Sequence, residues 1–99
     1  MIVEIADFQV SPDDVTAFGD AIQYAALQTL ATAEGYLGHT VMRSHETPGR
    51  FVLTVRWMSV EAHTVGFRTS AAFAQWRAII GPYFQQPPHV EHFDVLTLL

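Results

Sequence analysis

The sequence predicts an α+β fold: a four-stranded antiparallel sheet and two helical regions, in the order strand, helix, strand, strand, helix, strand. Three observations carry that expectation. Short apolar runs rich in valine, isoleucine and phenylalanine read as strands. A stretch with apolar groups at 3.6-residue spacing reads as a long helix. Clusters of glycine, proline and small polar residues punctuate the chain between them.

Residues 2–10 open the chain with apolar groups on both alternating faces: Ile2, Ala6, Phe8 and Val10 on one, Val3 and Ile5 on the other. Such a strand is covered on both sides. Ser11-Pro12-Asp13-Asp14 is a helix start, with a hydroxyl N-cap, proline at the first helical position and two acids where the helix dipole favours negative charge. The helix is expected from residue 12 to about 32, with Val15, Phe18, Ile22, Ala25, Ala26, Leu30 and Ala33 as its apolar stripe. Tyr24 and Leu27 lie off that stripe, toward a partner or a pocket. Glu34-Gly35 ends it, since glycine tolerates the left-handed conformation common just past a helix C-terminus.

A strand from 36 to about 45, the turn Glu46-Thr47-Pro48-Gly49 and a central strand over 50–58 form a hairpin. Ser59 caps a helical segment over 60 to about 67. A second piece, from about 70 to 80, puts Phe73, Trp76, Arg77 and Ile80 on one face. Gly81-Pro82 ends it, 85–88 is loop, and 89–98 is the last strand.

This order is the ferredoxin-like split βαβ arrangement, a single domain over residues 1–99. Two helices on one face leave the other face of the sheet bare, yet the strands are apolar on both. A second identical sheet is the simplest cover, so a homodimer is expected. Composition agrees, with 49% hydrophobic and only 15% charged residues, where ordinary soluble proteins carry roughly 25% charged.

Composition also excludes chemistries. The formal net charge is −5 and the 5 basic residues are all arginines, too few and too scattered for a phosphate-tracking surface, so no nucleic-acid partner is expected. Without lysine or cysteine there is no Schiff-base amine, thiolate nucleophile, disulfide, iron–sulfur cluster or zinc ribbon. The opening residues show no signal-peptide pattern and no apolar run approaches the ~18 residues of a membrane span, so a cytoplasmic protein without a membrane partner is expected. Hydrolase elbows and phosphate-cradling glycine loops are absent. His89 and His92, three apart on a strand, point to opposite faces, and His39 and His45 sit far apart along one face, so no spacing gathers three metal ligands.

Several stretches together resemble the antibiotic biosynthesis monooxygenase domain family. They are Phe51-Val52-Leu53-Thr54-Val55-Arg56-Trp57, Ser59-Val60-Glu61-Ala62-His63, then Phe67, Ser70, Phe73 and Trp76-Arg77, with Gly35-Tyr36-Leu37-Gly38 before them and Pro88-His89-Val90-Glu91-His92-Phe93 after. The resemblance covers essentially the whole chain. It implies a homodimeric α+β barrel of two facing ferredoxin-like sheets, with one pocket per subunit between sheet and helices. Members include oxygenases of anthrones and quinols that use no metal, flavin or haem.

By that resemblance, the chain is expected to be a cofactor-independent monooxygenase that oxidises a small phenol, quinol or anthrone with dioxygen. Trp57 and Arg77 match pocket residues implicated in the anthrone oxygenases. Arg77 would hold a phenolate or superoxide by charge-assisted hydrogen bonding. His63 stands where those enzymes carry a tyrosine, and would act as base, its ordinary pKa near 6.5 suiting neutral pH. Leu53 stands where they carry an asparagine and offers only apolar contact to substrate. Phe67, Phe73, Trp76 and Tyr83 would line or border the pocket. Asp7, an acid on an otherwise apolar strand, is either half of a structural ion pair or a substrate-facing carboxylate. The alternatives on the same scaffold are a non-catalytic small-molecule binder or stress-response accessory protein, and a haem-handling protein. The last is disfavoured because Asp7, Gly66 or Phe67, and Trp76 or Arg77 stand where haem-degrading relatives need asparagine, tryptophan and the histidine ligand.

Overall fold

The side chains of the first strand set the layering. In the computed structural model, which describes residues 1–99, β1 (Ile2–Gln9) buries Glu4, Ala6 and Phe8 on one face and leaves Val3, Ile5, Asp7 and Gln9 half-buried on the other. The helices pack on the first of these faces. Ser11 accepts the Asp13 amide, and a 3₁₀ turn (Pro12–Asp14) leads into α1 (Val15–Gln28), whose Phe18, Ile22, Ala25 and Ala26 are buried against the sheet. Next come β2 (Tyr36–Arg43), β3 (Arg50–Trp57), α2 (Ala71–Ile80) and β4 (His89–Asp94).

The sheet is antiparallel, in the order β2-β3-β1-β4. This is the ferredoxin-like topology expected from the sequence, with the two central strands β1 and β3 burying the most. The core combines Ala6, Phe8, Phe51, Leu53, Val55 and Trp57 from the sheet with Phe18, Ile22, Phe67, Trp76 and Ile80 from the helical layer. An edge-to-face contact of Phe18 with Phe51 (4.8 Å between centroids) pins α1 to the sheet, and one with Tyr83 (5.5 Å) ties it to the turn that follows α2.

Three boundaries and one helical winding differ from those expected. The long helix stops at Gln28: Thr29 leaves helical geometry (φ −125°, ψ −68°) while its hydroxyl donates back to the Ala25 carbonyl at 2.7 Å, and only a 3₁₀ turn (Leu30–Thr32) follows. β2 ends at Arg43, two residues early, where Ser44 begins the turn by accepting the Thr47 amide. The last strand ends at Asp94 rather than 98, because its register partner there is Ile2 and β1 reaches no further. The segment Ala62–Phe67 is wound as a π-helix, the Arg68 amide donating to the His63 carbonyl at 3.0 Å. π-Windings of this kind are frequent at functional sites. This one turns both His63 and Phe67 inward, 4% and 2% exposed.

The outer face of the sheet carries no helix. Ile5 faces Thr54, Val3 faces Phe93 and Met42 faces Val52 across the ladders, with Met42 45% and Phe93 42% exposed. No helix is long and apolar enough to cross a membrane.

Candidate active site

Glu4 is a buried acid on the helix-facing side of β1, 5% exposed, directly opposite His92 of β4 in the ladder. A buried carboxyl requires partners, and it has two. The indole Nε1 of Trp57 donates to Oε1 at 2.9 Å, and His63 Nε2 lies 3.4 Å from the same oxygen. His63 continues the chain on its other side, with Nδ1 2.8 Å from His92 Nε2. The His63 ring also stacks on Trp57, with centroids 5.3 Å apart and planes 16° from parallel. Three elements thus converge at one corner: β1 supplies Glu4, β4 supplies His92, and the π-wound segment lowers His63 between them onto the end of β3.

This polar corner forms part of the wall of a cavity of about 340 Å³, a size suited to a small organic ligand. Most of its wall is apolar. Ala6, Phe8 and Leu53 come from the sheet, Phe67, Phe73 and Trp76 from the helical layer, and Phe84, Pro88 and Val90 from the chain entering β4. Phe73 meets Phe67 edge-on at 5.6 Å, and Phe67 lies 5.9 Å from Trp57, so the aromatic wall runs back to the polar corner. Arg68 and Arg77 stand at the rim, exposed, with no carboxylate within ion-pair distance; the Arg77 guanidinium sits 5.9 Å from the Phe73 ring centroid.

Burial sets the protonation of the corner. It pushes the Glu4 carboxyl above its ordinary value, an effect opposed by the Trp57 hydrogen bond and by Arg68. His63 is driven down to about 3, by burial first and then by the positive charge of Arg68 and by His92. His92 is lowered too, by burial and by Arg68. Both imidazoles are therefore neutral at pH 7.

The residues expected at the site divide by position. His63, Leu53, Phe67, Phe73, Trp76 and Arg77 all line the cavity. Trp57, fully buried, lies behind His63 and reaches the cavity only through the groups it holds. Tyr83 packs on Phe18, outside the cavity wall. Asp7 is on the opposite face of the sheet and pairs with Arg50 at 2.7 Å, which is the structural ion pair of its two sequence readings; strand alternation turns it away from the pocket. Glu4 and Arg68 were not singled out from the sequence, and His92 was weighed there only as a metal ligand. The signal for Glu4 was present, since it shares parity with Ala6 and Phe8 on the buried face of β1.

The cavity and its polar corner occur on a fold with close relatives. The family model described as antibiotic biosynthesis monooxygenase matches residues 1–79. The chain is 31% identical over 94 residues to YczJ, an uncharacterised protein of Bacillus subtilis (strain 168), over 95% of this chain and 98% of that one. A crystal structure from Bordetella bronchiseptica, provisionally named an antibiotic biosynthesis monooxygenase, superposes with a TM-score of 0.90 at 36% identity, covering 97% of each chain. SnoaB, a cofactor-independent oxygenase from Streptomyces nogalater, superposes at 0.80 over 99% of this chain and 95% of its own; with 16% identity, that likeness speaks to the fold. The chain belongs to the antibiotic biosynthesis monooxygenase family.

Proposed function

We propose that this chain is a homodimeric, cofactor-independent monooxygenase that oxidises a small acidic aromatic, a phenol, quinol or anthrone, with dioxygen. The observation that carries the reading is one cavity combining an aromatic wall, a proton-accepting corner at Glu4 and His63, and two arginines at the rim without carboxylate partners. An apolar, water-poor site strengthens each electrostatic contact made inside it. Arg77 and Arg68 are placed to stabilise the substrate anion by charge-assisted hydrogen bonds.

For an anthrone methylene the steps balance as follows. The corner removes one proton to leave a delocalised carbanion, which passes one electron to dioxygen. The resulting radical and superoxide recombine into a C–O bond, and the peroxide anion takes back the proton. Loss of the remaining C–H proton with cleavage of the O–O bond releases water and leaves the carbonyl. One oxygen atom enters the product and one leaves as water. The dimer reading rests on the outer sheet face, where Val3, Ile5, Met42, Val52 and Phe93 form a helix-free surface that a second copy would cover.

Leu53 on the cavity wall, apolar and unable to hydrogen-bond a substrate oxygen, favours the second reading, a non-catalytic binder of small aromatics. Aerobic incubation with dithranol or a menadiol, followed by absorbance for quinone and by an oxygen electrode, separates the two. Quinone formation with oxygen uptake above heat-killed controls supports the oxygenase. Thermal stabilisation by the aromatic without oxygen uptake identifies the binder.

A further inference from the structure

Glu4 makes both of its polar contacts through one oxygen, Oε1. Its second oxygen, Oε2, has no hydrogen-bond partner. Yet no fully buried side-chain oxygen in the molecule lacks one, so Oε2 retains open surface, and Glu4 is part of the cavity wall. His63 is in the opposite position: both ring nitrogens are turned toward protein groups, Nε2 toward Glu4 and Nδ1 toward His92. A substrate in the cavity therefore meets a free carboxyl oxygen before it meets a free imidazole nitrogen. His92, unlike the other two, is only half-buried.

We infer that Glu4 Oε2 is the atom that takes the substrate proton, and that His63 and His92 pass that proton between the cavity and solvent. The inference rests on the oxygenase reading for its chemistry, and on the Glu4–His63–His92 geometry for its parts. Once Glu4 carries the proton, the His63 tautomer with its hydrogen on Nδ1 donates to His92 and offers the Nε2 lone pair to the acid. A half-turn of the carboxyl about Cγ–Cδ brings the newly protonated oxygen to Nε2. A proton received there releases the one on Nδ1 to His92. The 3.4 Å gap from Glu4 to His63 has to close by a few tenths of an ångström for transfer, as commonly happens when a site closes on its substrate.

The chain has a purpose in the reaction. A proton left on Glu4 would return to the carbanion before dioxygen reacts; passed through His63 and His92 to solvent, it is kept from the anion, and the same path returns one to the peroxide. The charged and titratable groups around the relay fit this use. Burial raises the carboxyl toward the working pH range of a general base, while Arg68 and burial keep both imidazoles neutral, so they carry the proton in transit without storing it. Arg77, on α2, faces the same cavity from the rim and favours the substrate anion.

The test compares wild type, Glu4→Gln, Glu4→Asp and His92→Ala, using dithranol turnover and the ring-nitrogen NMR signals of His63 and His92. The relay requires Glu4→Gln to lower kcat by about 10²–10⁴-fold with KM little changed, and Glu4→Asp to recover part of the loss. His92→Ala is expected to lose about tenfold in kcat, the size of ~1.4 kcal/mol, and to regain it in imidazole buffer, a rescue that a purely structural role would not show. Glu4→Gln turning over at the wild-type rate, or no imidazole rescue of His92→Ala, overturns the relay. If wild type shows no turnover at all, the oxygenase reading fails on its own, and the NMR still decides the relay. Glu4→Gln shifting the tautomer or titration of both His63 and His92 supports a shared proton chain, and unchanged spectra overturn it. Should Glu4→Gln not fold, His92→Ala and its imidazole rescue still decide the relay.

Discussion

The indole Nε1 of Trp57 donates to Glu4 Oε1 across 2.9 Å, a buried bond that joins the last residue of β3 to the first strand, 53 positions apart in sequence. The bond does two things at once. It stabilises a carboxylate that burial disfavours, and it occupies one carboxyl oxygen while the other is left to the cavity. Trp57→Phe keeps most of the apolar volume and removes the donor. Leaving a buried acceptor short of a partner costs about 1–3 kcal/mol, measurable by urea denaturation, and the Glu4 pKa is expected to rise further in this variant.

Stability should depend on pH through His63. Its folded-state pKa, about 3, lies below the 6.5 of an exposed imidazole, so the unfolded chain binds the proton first. Its contribution is complete above about pH 6.5 and is lost as pH falls toward 3, with a slope of up to ~1.4 kcal/mol per pH unit for one such group. Glu4, raised when folded, works in the opposite sense: it favours the folded state at low pH and disfavours it as pH rises through the folded value. Denaturation midpoints of wild type should therefore drop between pH 7 and pH 5, and those of His63→Gln should drop less.

Arg77 is expected to matter for turnover more than for folding. It is exposed, has no carboxylate partner and contacts only the Phe73 ring among aromatic groups. Arg77→Leu should leave the thermal midpoint nearly unchanged while lowering kcat for dithranol by about 10²–10³-fold, the usual loss for one donor to a developing anion. Steady-state kinetics beside a melting curve checks both halves.

The hairpin turn is held by a close backbone approach. Gly49 has φ +79°, and a Cβ there would stand 2.1 Å from the Val10 carbonyl oxygen, while its own carbonyl accepts the Val10 amide at 2.8 Å. Gly49→Ala has to move backbone as well as adopt a left-handed conformation, which alone costs about 1–3 kcal/mol. A loss of that size or more in chemical denaturation is expected.

On the outer face, Ile5 sits on a central strand between Thr54 and Glu91. If a second copy covers this face, Ile5→Asp places a charge at the centre of the interface and sedimentation velocity should shift toward the monomer. An unchanged sedimentation coefficient for the variant, or a monomeric wild type at tens of micromolar, counts against the dimer.

Much of the architecture was legible in the sequence because it depends on local rules. The capped start at Ser11-Pro12, the turn at Glu46–Gly49 and the two-residue alternation of β1 and β3 each follow from the conformational preferences of a few neighbours. Boundaries that depend on a distant partner were less accessible. β4 ends at Asp94 because β1 begins at Ile2, and nothing in the residues 95–98 announces that.

The same division runs through the site. Sequence and family resemblance placed His63, Leu53, Phe67, Phe73, Trp76 and Arg77, and all six line one cavity. The likeness extends along β3 and both helical pieces, where their spacing is set by a single stretch of chain. Asp7 was read as a substrate contact or half of an ion pair, and the fold decides for Arg50, since strand parity turns Asp7 to the outer face. Glu4, His63 and His92 come from three separate elements, and only the β1–β4 register and the extra width of the π-turn bring them into line. The amino-acid pattern by itself determined the elements and their order, because periodicity and capping act over a few residues. The tertiary structure alone decided which buried acid meets which histidine, because that depends on ladder register and helix winding between segments far apart in the chain.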